Sequence, residues 1–141
     1  MKILIDTNVI LDSLASREPY DKSADDIFDL IAKNRVEGYL STSSVTDIYY
    51  ILRKTLGDAA SRNEIRKILY VLQAIEITKS DCQTALDSPI SDFEDALVVV
   101  CADKVNLDYI VTRDEEFLKH PNVISPIDFL SKIMMRTKPY G

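Results

Sequence analysis

Ser91-Asp92-Phe93-Glu94-Asp95-Ala96-Leu97-Val98-Val99-Val100-Cys101-Ala102, followed after a polar interval by Tyr109-Ile110-Val111-Thr112, is the stretch that decides the fold. Ser91 and Glu94 have the spacing of a capping box, so a helix is expected to open there. The residues after Asp95 are nearly all apolar, which predicts a helix buried around most of its circumference. A short strand rich in β-branched residues comes next. A helix of that kind feeding such a strand fits a parallel sheet covered on both faces.

Working outward, the same alternation recurs. Lys2 to Ile5 reads as a buried strand ending in the helix-start residues Asp6-Thr7-Asn8, with a short helix over Val9 to Leu14. Glu18-Pro19-Tyr20 breaks the chain, and Ala24, Ile27, Phe28, Leu30 and Ile31 then recur at helical spacing. Gly38 to Ser41 is a brief strand, with Ser43 or Ser44 expected to cap a helix carrying Val45, Ile48, Tyr49, Ile51 and Leu52 and closed by Gly57-Asp58. Ile65, Ile68, Leu69 and Leu72 mark another helix, Ala74 to Ile77 a strand, and Cys82 to Leu86 a short helix. Val123-Ile124 is a last strand, and Pro126 opens a terminal helix through Phe129, Leu130 and Ile133. One α/β domain over 1–141 is expected, with 135–141 as a frayed tail.

Composition narrows the function. The chain has 141 residues, 46% of them hydrophobic, three Gly and five Pro, and a formal charge of −6. No segment has the roughly 20 apolar residues of a membrane span, and the N-terminus lacks the h-region of a signal peptide, so a cytoplasmic protein is expected. Cys82, Cys101 and the lone His120 form no zinc pattern. The acidic balance argues against a surface built throughout for nucleic acid. That acid is concentrated: Ile75 to Glu116 holds eleven acids against Lys79, Lys104 and Arg113. Tyr50 to Tyr70 is locally basic, with Arg53, Lys54, Arg62, Arg66 and Lys67 against Asp58 and Glu64.

In a parallel sheet the functional crevice lies beyond the carboxyl ends of the strands. Asp6, Asp47, Asp92, Asp95 and Asp114 all fall at such junctions, delivered by four separate segments. Each has a structural reading as well: Asp6 as a helix cap, Ser44 with Asp47 as a capping box, Asp92 and Glu94 as first-turn acids, Asp114 as the cap of a turn. Together they point to chemistry. Carboxylates brought close repel unless their proton affinity rises or a cation binds, and an all-oxygen set favours Mg²⁺ or Mn²⁺ over Zn²⁺. Such a nest suits phosphoryl chemistry.

The blocks Ile-Asp6-Thr-Asn8-Val, Ser43-x-x-Thr46-Asp47-Ile, Asp92-Phe-Glu-Asp95-Ala-Leu and Ile-Val-Thr112-Arg113-Asp114-x-x-Phe117 resemble, in order, the motifs of the PIN-domain nucleases. The resemblance runs from Met1 to about Leu130. It implies a three-layer α/β/α sandwich with a central parallel sheet, in which Asp6, Asp47, Asp95 and Asp114 hold one or two Mg²⁺ or Mn²⁺ ions. Asp92 would be an accessory ligand, and Asn8 and Thr112 polar supports. The implied reaction is hydrolysis of RNA phosphodiesters by a metal-activated water. Small members of the family are often the toxins of toxin–antitoxin pairs and usually dimeric, so a homodimer and an antitoxin partner are expected. Where the family commonly has Glu, this chain has Asp47, one methylene shorter, which is expected to reach a metal through water.

Arg53, Lys54, Arg62, Arg66, Lys67 and Arg113 are the candidates for contact with RNA phosphates, with solvated helix faces as the alternative. Tyr49, Tyr50 and Tyr70 on the same helices are candidates to stack bases or to pack a dimer interface, with core or interface packing as the expectation. The competing function is a receiver-like module that binds Mg²⁺ without nuclease activity. Asp6-Thr7-Asn8 stands where a receiver has paired acids, and Thr112-Arg113 where it has a Lys. A phosphatase-like hydrolase is disfavoured by the absence of a DxD nucleophile motif and of a Gly-rich phosphate cradle.

Overall fold

The computed structural model describes residues 1–137. Five strands form one sheet, each pairing parallel to its neighbours: β1 (Lys2–Ile5), β2 (Glu37–Ser41), β3 (Gln73–Ile75), β4 (Tyr109–Val111) and β5 (Val123–Ile124), in the order β3-β2-β1-β4-β5. The helices are α1 (Thr7–Leu14), α2 (Asp21–Ala32), α3 (Ser43–Val71), α4 (Lys79–Leu86), α5 (Phe93–Lys104) and α6 (Pro126–Thr137), with a 3-10 turn over Phe117–Lys119.

Alternation along the strands sorts the side chains into two cores. Ile3, Ile5, Leu40, Val111 and Ile124 pack with α1, α2, α3 and α6 through residues such as Ile10, Ile27, Ile48 and Phe129. Leu4, Tyr39, Ile75 and Ile110 face the other way, onto Val98, Cys101 and Ala102 of α5 and onto Phe117. Ala85 of α4 covers Ala96 and Leu97 of α5. The result is the expected three-layer α/β/α sandwich. Residues on α5 are buried on both its sheet and α4 sides, which is why the stretch after Asp95 is apolar nearly all round.

Gly38 marks the tightest helix–sheet approach. A Cβ there would stand 2.5 Å from Ile31 Cδ1 and 2.6 Å from Leu72 Cδ2. Gly57 does a different job: with φ 78 and ψ 175 it interrupts α3, a backbone conformation that L side chains avoid. The two helices expected on either side of Gly57 therefore meet at a kink.

Several helix starts differ from expectation. The N-cap of α3 is Thr42, without a side-chain cap bond, so Ser44 and Asp47 form no capping box. The Ser44 hydroxyl instead accepts from Thr7 Oγ1 at 2.9 Å. At α5 the cap is Asp92, whose Oδ1 accepts from Asp95 N at 3.0 Å, and not Ser91. A reciprocal capping box does occur at α4, between Thr78 and Asp81. The last helix continues to Thr137, beyond Met135, and the rest of the tail expected to fray, 138–141, lies outside the described residues.

The chain lays β2 and β3 on one side of β1, then crosses to lay β4 and β5 on the other. The reversal falls between β1 and β4, whose carboxyl ends are where an open α/β sheet presents its crevice. This order also differs from the 2-1-3-4-5 order of receiver domains. No helix among the described residues is long and apolar enough to cross a membrane.

Candidate active site

The register Ile5↔Val111 brings Asp6 beside Thr112, and Asp6 N donates to Val111 O at 2.9 Å. Thr112 is fully buried, and its hydroxyl is a three-way junction. It donates to Asp6 Oδ2 at 2.9 Å and accepts from Asn8 Nδ2 at 3.1 Å and Asp114 N at 3.1 Å. Asn8 Oδ1 in turn accepts from Arg113 N at 3.2 Å. Asp6 Oδ1 accepts from Thr7 N, so Asp6 caps α1 and faces the crevice at once. Thr112 thus ties Asp6 to the backbone at Asp114, and Asn8 bonds Thr112 from the first turn of α1.

A cleft of about 800 Å³ opens at this edge. Asp6, Asp47, Asp92, Asp95 and Asp114 all line it. Glu94 joins them, although its spacing from Ser91 and its place in a first helical turn suit a purely structural role. Asp92 caps α5 and Asp114 Oδ1 accepts from Glu116 N at 3.0 Å, so both carry structural bonds in addition.

The carboxylates feel one another. Asp95 is pushed from 3.8 up to about 7, first by desolvation and then by the charges of Asp92, Asp114, Asp6 and Glu94. Burial raises Asp6 too, against the lowering hydrogen bonds from Thr112 and Thr7, and Asp114 and Asp92 add to the rise. Glu94 is raised by desolvation and then by Asp47, Asp92 and Asp6. Among the described residues, no three His, Cys, Asp or Glu side chains already converge closely enough to hold an ion. The set offers hard oxygen donors around an open cleft. That suits a cation such as Mg²⁺, which keeps several waters and takes one or two carboxylates directly.

Other features were hidden from the sequence. Asp12, on α1, is fully buried and receives Arg113 in a two-pronged pair, Nε to Oδ2 at 2.5 Å and Nη2 to Oδ1 at 2.9 Å. The guanidinium also lies 3.8 Å from the Tyr20 ring centroid. Arg113, expected among the RNA contacts, is therefore committed to bracing β4 against α1. The two residues lie far apart in the chain, and nothing local in either signals the pair. Among the described residues, Arg17, which also reaches Asp12 at 3.8 Å, is the cation that lines the carboxylate cleft. Arg53, Arg62 and Arg66 instead line a second groove on α3, which also contains Tyr49 and Tyr50, while Lys54 and Lys67 are exposed on the same helix. His120 packs edge-on against Phe117, away from these groups.

A family model described as PIN domain matches residues 2–116. Ribonuclease VapC1 of Aquifex aeolicus (strain VF5) is 26% identical over 121 residues, covering 82% of this chain and 83% of that protein. Among solved structures, Mycobacterium tuberculosis VapC20, described as a Sarcin-Ricin loop cleaving toxin, superposes with a TM-score of 0.68 at 16% identity, over 86% of this chain and 96% of that one. VapBC2 from Rickettsia felis, bound to a DNA fragment from its promoter, gives 0.65 at 19% identity, over 89% and 97%.

Proposed function

Because the chain belongs to the PIN-domain family, we propose that it is a metal-dependent endoribonuclease, acting at the cleft that Asp6, Asp95 and Asp114 line. The observation that carries this reading is the lining of one cleft by Asp6, Asp47, Asp92, Asp95 and Asp114, with Asp95 raised to about 7 by desolvation and its like-charged neighbours, a site that favours a proton or a cation. Asp6, Asp95 and Asp114 are the residues that would hold Mg²⁺ or Mn²⁺, with Asp47, exposed and shorter than the usual Glu, acting through water, and Asp92 as accessory. Such an ion lowers the pKa of water and offsets the charge of a phosphate.

The chain's own residues do the rest. The Thr112 hydroxyl and Thr7 N donate to the two oxygens of Asp6, and Asn8 donates to Thr112 behind them, so the acid does not rotate away from the cleft. Arg17 offers a positive charge to a phosphate entering among the carboxylates. The similarity to a VapC ribonuclease, and the likeness in fold to toxins of this kind, support a role as the toxin of a toxin–antitoxin pair, with an antitoxin protein as partner. Homodimer formation belongs to the same reading, and the exposed Leu69, Tyr70 and Val71 at the end of α3 offer apolar surface for it. The location is taken as cytoplasmic.

End-labelled RNA incubated with purified protein tests the reading. Cleavage is expected with Mn²⁺ or Mg²⁺, is expected to stop in EDTA, and should be lost in Asp6→Asn and Asp95→Asn without change in the circular-dichroism spectrum. Cleavage retained by both variants would remove the site. Incorporation of phosphate from a small phosphodonor onto Asp6, with no cleavage, would favour the receiver-like alternative, against which the strand order already speaks.

A further inference from the structure

The kink at Gly57 turns α3 back so that its two arms share a groove of about 440 Å³, with Tyr49, Tyr50 and Arg53 from the first arm and Arg62 and Arg66 from the second. Tyr50 also lines the carboxylate cleft, so it forms the wall common to both. The residue is 60% exposed, unusual for a large aromatic next to a candidate active site. It stands edge-on to Tyr49, with centroids 5.2 Å apart. Tyr49 is itself braced across the kink: its hydroxyl donates to Asp58 Oδ1, Arg62 Nε donates to the same oxygen at 2.9 Å, and the Arg62 guanidinium lies 5.8 Å from the Tyr49 centroid. Arg62 is thus partly spent on Asp58, whereas Arg66 bonds the neutral Asn63 at 2.9 Å and has no ion pair among the described residues.

We propose that this groove binds one unstacked nucleotide of single-stranded RNA, with Tyr50 stacking on its base and Arg53 and Arg66 contacting the backbone phosphates leading to the carboxylate cleft. The proposal rests on the nuclease reading above. Charge selects the occupant: three arginines against one aspartate suit a polyanion. Ring geometry selects single strands, because a base inside a duplex offers its edges to protein while its faces are stacked on neighbours. Stacking on an aromatic ring is tolerant of sequence, so the groove positions the strand without choosing the base.

Fluorescence anisotropy with a short fluorescein-labelled oligouridylate, in EDTA so that nothing is cleaved, tests this. Tyr50→Ala should weaken binding at least about fivefold. Tyr50→Phe and Tyr50→Trp should bind like the wild type, and a labelled RNA duplex should not distinguish the four proteins. Unchanged affinity in Tyr50→Ala, loss not rescued by Phe or Trp, equal loss for the duplex, or no binding by the wild type overturns the proposal. Sedimentation of the same proteins covers the other occupant: a change of oligomeric state in Tyr50→Ala would assign the face to a second copy of the chain and overturn it as well. The two readings fail separately. Cleavage that depends on Mn²⁺ and Asp6, alongside binding indifferent to Tyr50, removes only this inference; Tyr50-dependent binding without any cleavage removes only the nuclease.

Discussion

Replacing Asp95 by Asn should stabilise the metal-free protein. The carboxyl takes up its proton near 7 when folded and near 3.8 when unfolded, because it is partly desolvated and surrounded by Asp92, Asp114, Asp6 and Glu94. Between those values the folded state holds more protons than the unfolded state, so this group's contribution to stability falls as pH rises from about 4 to about 7, then levels off. At about 1.36 kcal/mol per pH unit a fully buried carboxyl would lose roughly 4 kcal/mol. Asp95 is only partly buried, and solvent screening reduces this to about 1–2 kcal/mol. For a chain of this length that is a rise of about 3–6 °C in Tm for Asp95→Asn at pH 8 in EDTA. Differential scanning fluorimetry from pH 4 to pH 8 reads it: the variant's advantage should be smallest at pH 4 and grow to about pH 7. Added Mn²⁺ should then raise the wild type more than the variant, since a ligand of the folded state stabilises it by mass action. A variant no more stable than the wild type at pH 8, or an advantage independent of pH, would refute the reasoning.

Thr112→Val should leave Asn8 Nδ2, Asp114 N and Asp6 Oδ2 short of a partner, costing about 1–3 kcal/mol and about 10- to 100-fold in activity; Thr112→Ser should restore both, as melting and cleavage rates will read. Asp12→Ala should strand the Arg113 guanidinium and lower stability by about 3–5 kcal/mol in urea unfolding, and a loss under about 1 kcal/mol would mean the pair is dispensable. Gly38→Ala should cost about 1–3 kcal/mol by the same assay, because Ile31 and Leu72 must both move. Neutralising Arg53 and Arg66 together should flatten the salt dependence of RNA binding by about 0.7 log units per phosphate contact removed, and an unchanged slope would return both to ordinary surface.

Much of the site was legible because it follows from where strands end. Asp6, Asp47, Asp95 and Asp114 each sit just past a strand or in the first turns of the next helix, and a parallel sheet collects such positions at one edge whatever the loop details. The apolar run after Asp95 carried the sheet with it. Helix caps were less legible, since a boundary shift of one or two residues changes the capping residue: Asp92 caps where Ser91 was expected, and Ser44 spends its hydroxyl on Thr7 across the sheet edge. Long-range pairing left no local trace, so Arg113 read as a candidate RNA contact although Asp12 holds it from another helix. The groove at Tyr50 needed the Gly57 kink, whose direction a sequence does not specify. Glu94 was assigned to a cap because its spacing from Ser91 satisfied one, and the share it takes in the acidic cleft emerged only with the geometry.

Anomalous diffraction from Mn²⁺-soaked crystals tests the central claim most directly. A peak bridging the carboxylates of Asp6, Asp95 and Asp114, absent in crystals of Asp6→Asn, is the result this account expects. A peak elsewhere, or none at a Mn²⁺ concentration that supports RNA cleavage, would contradict it.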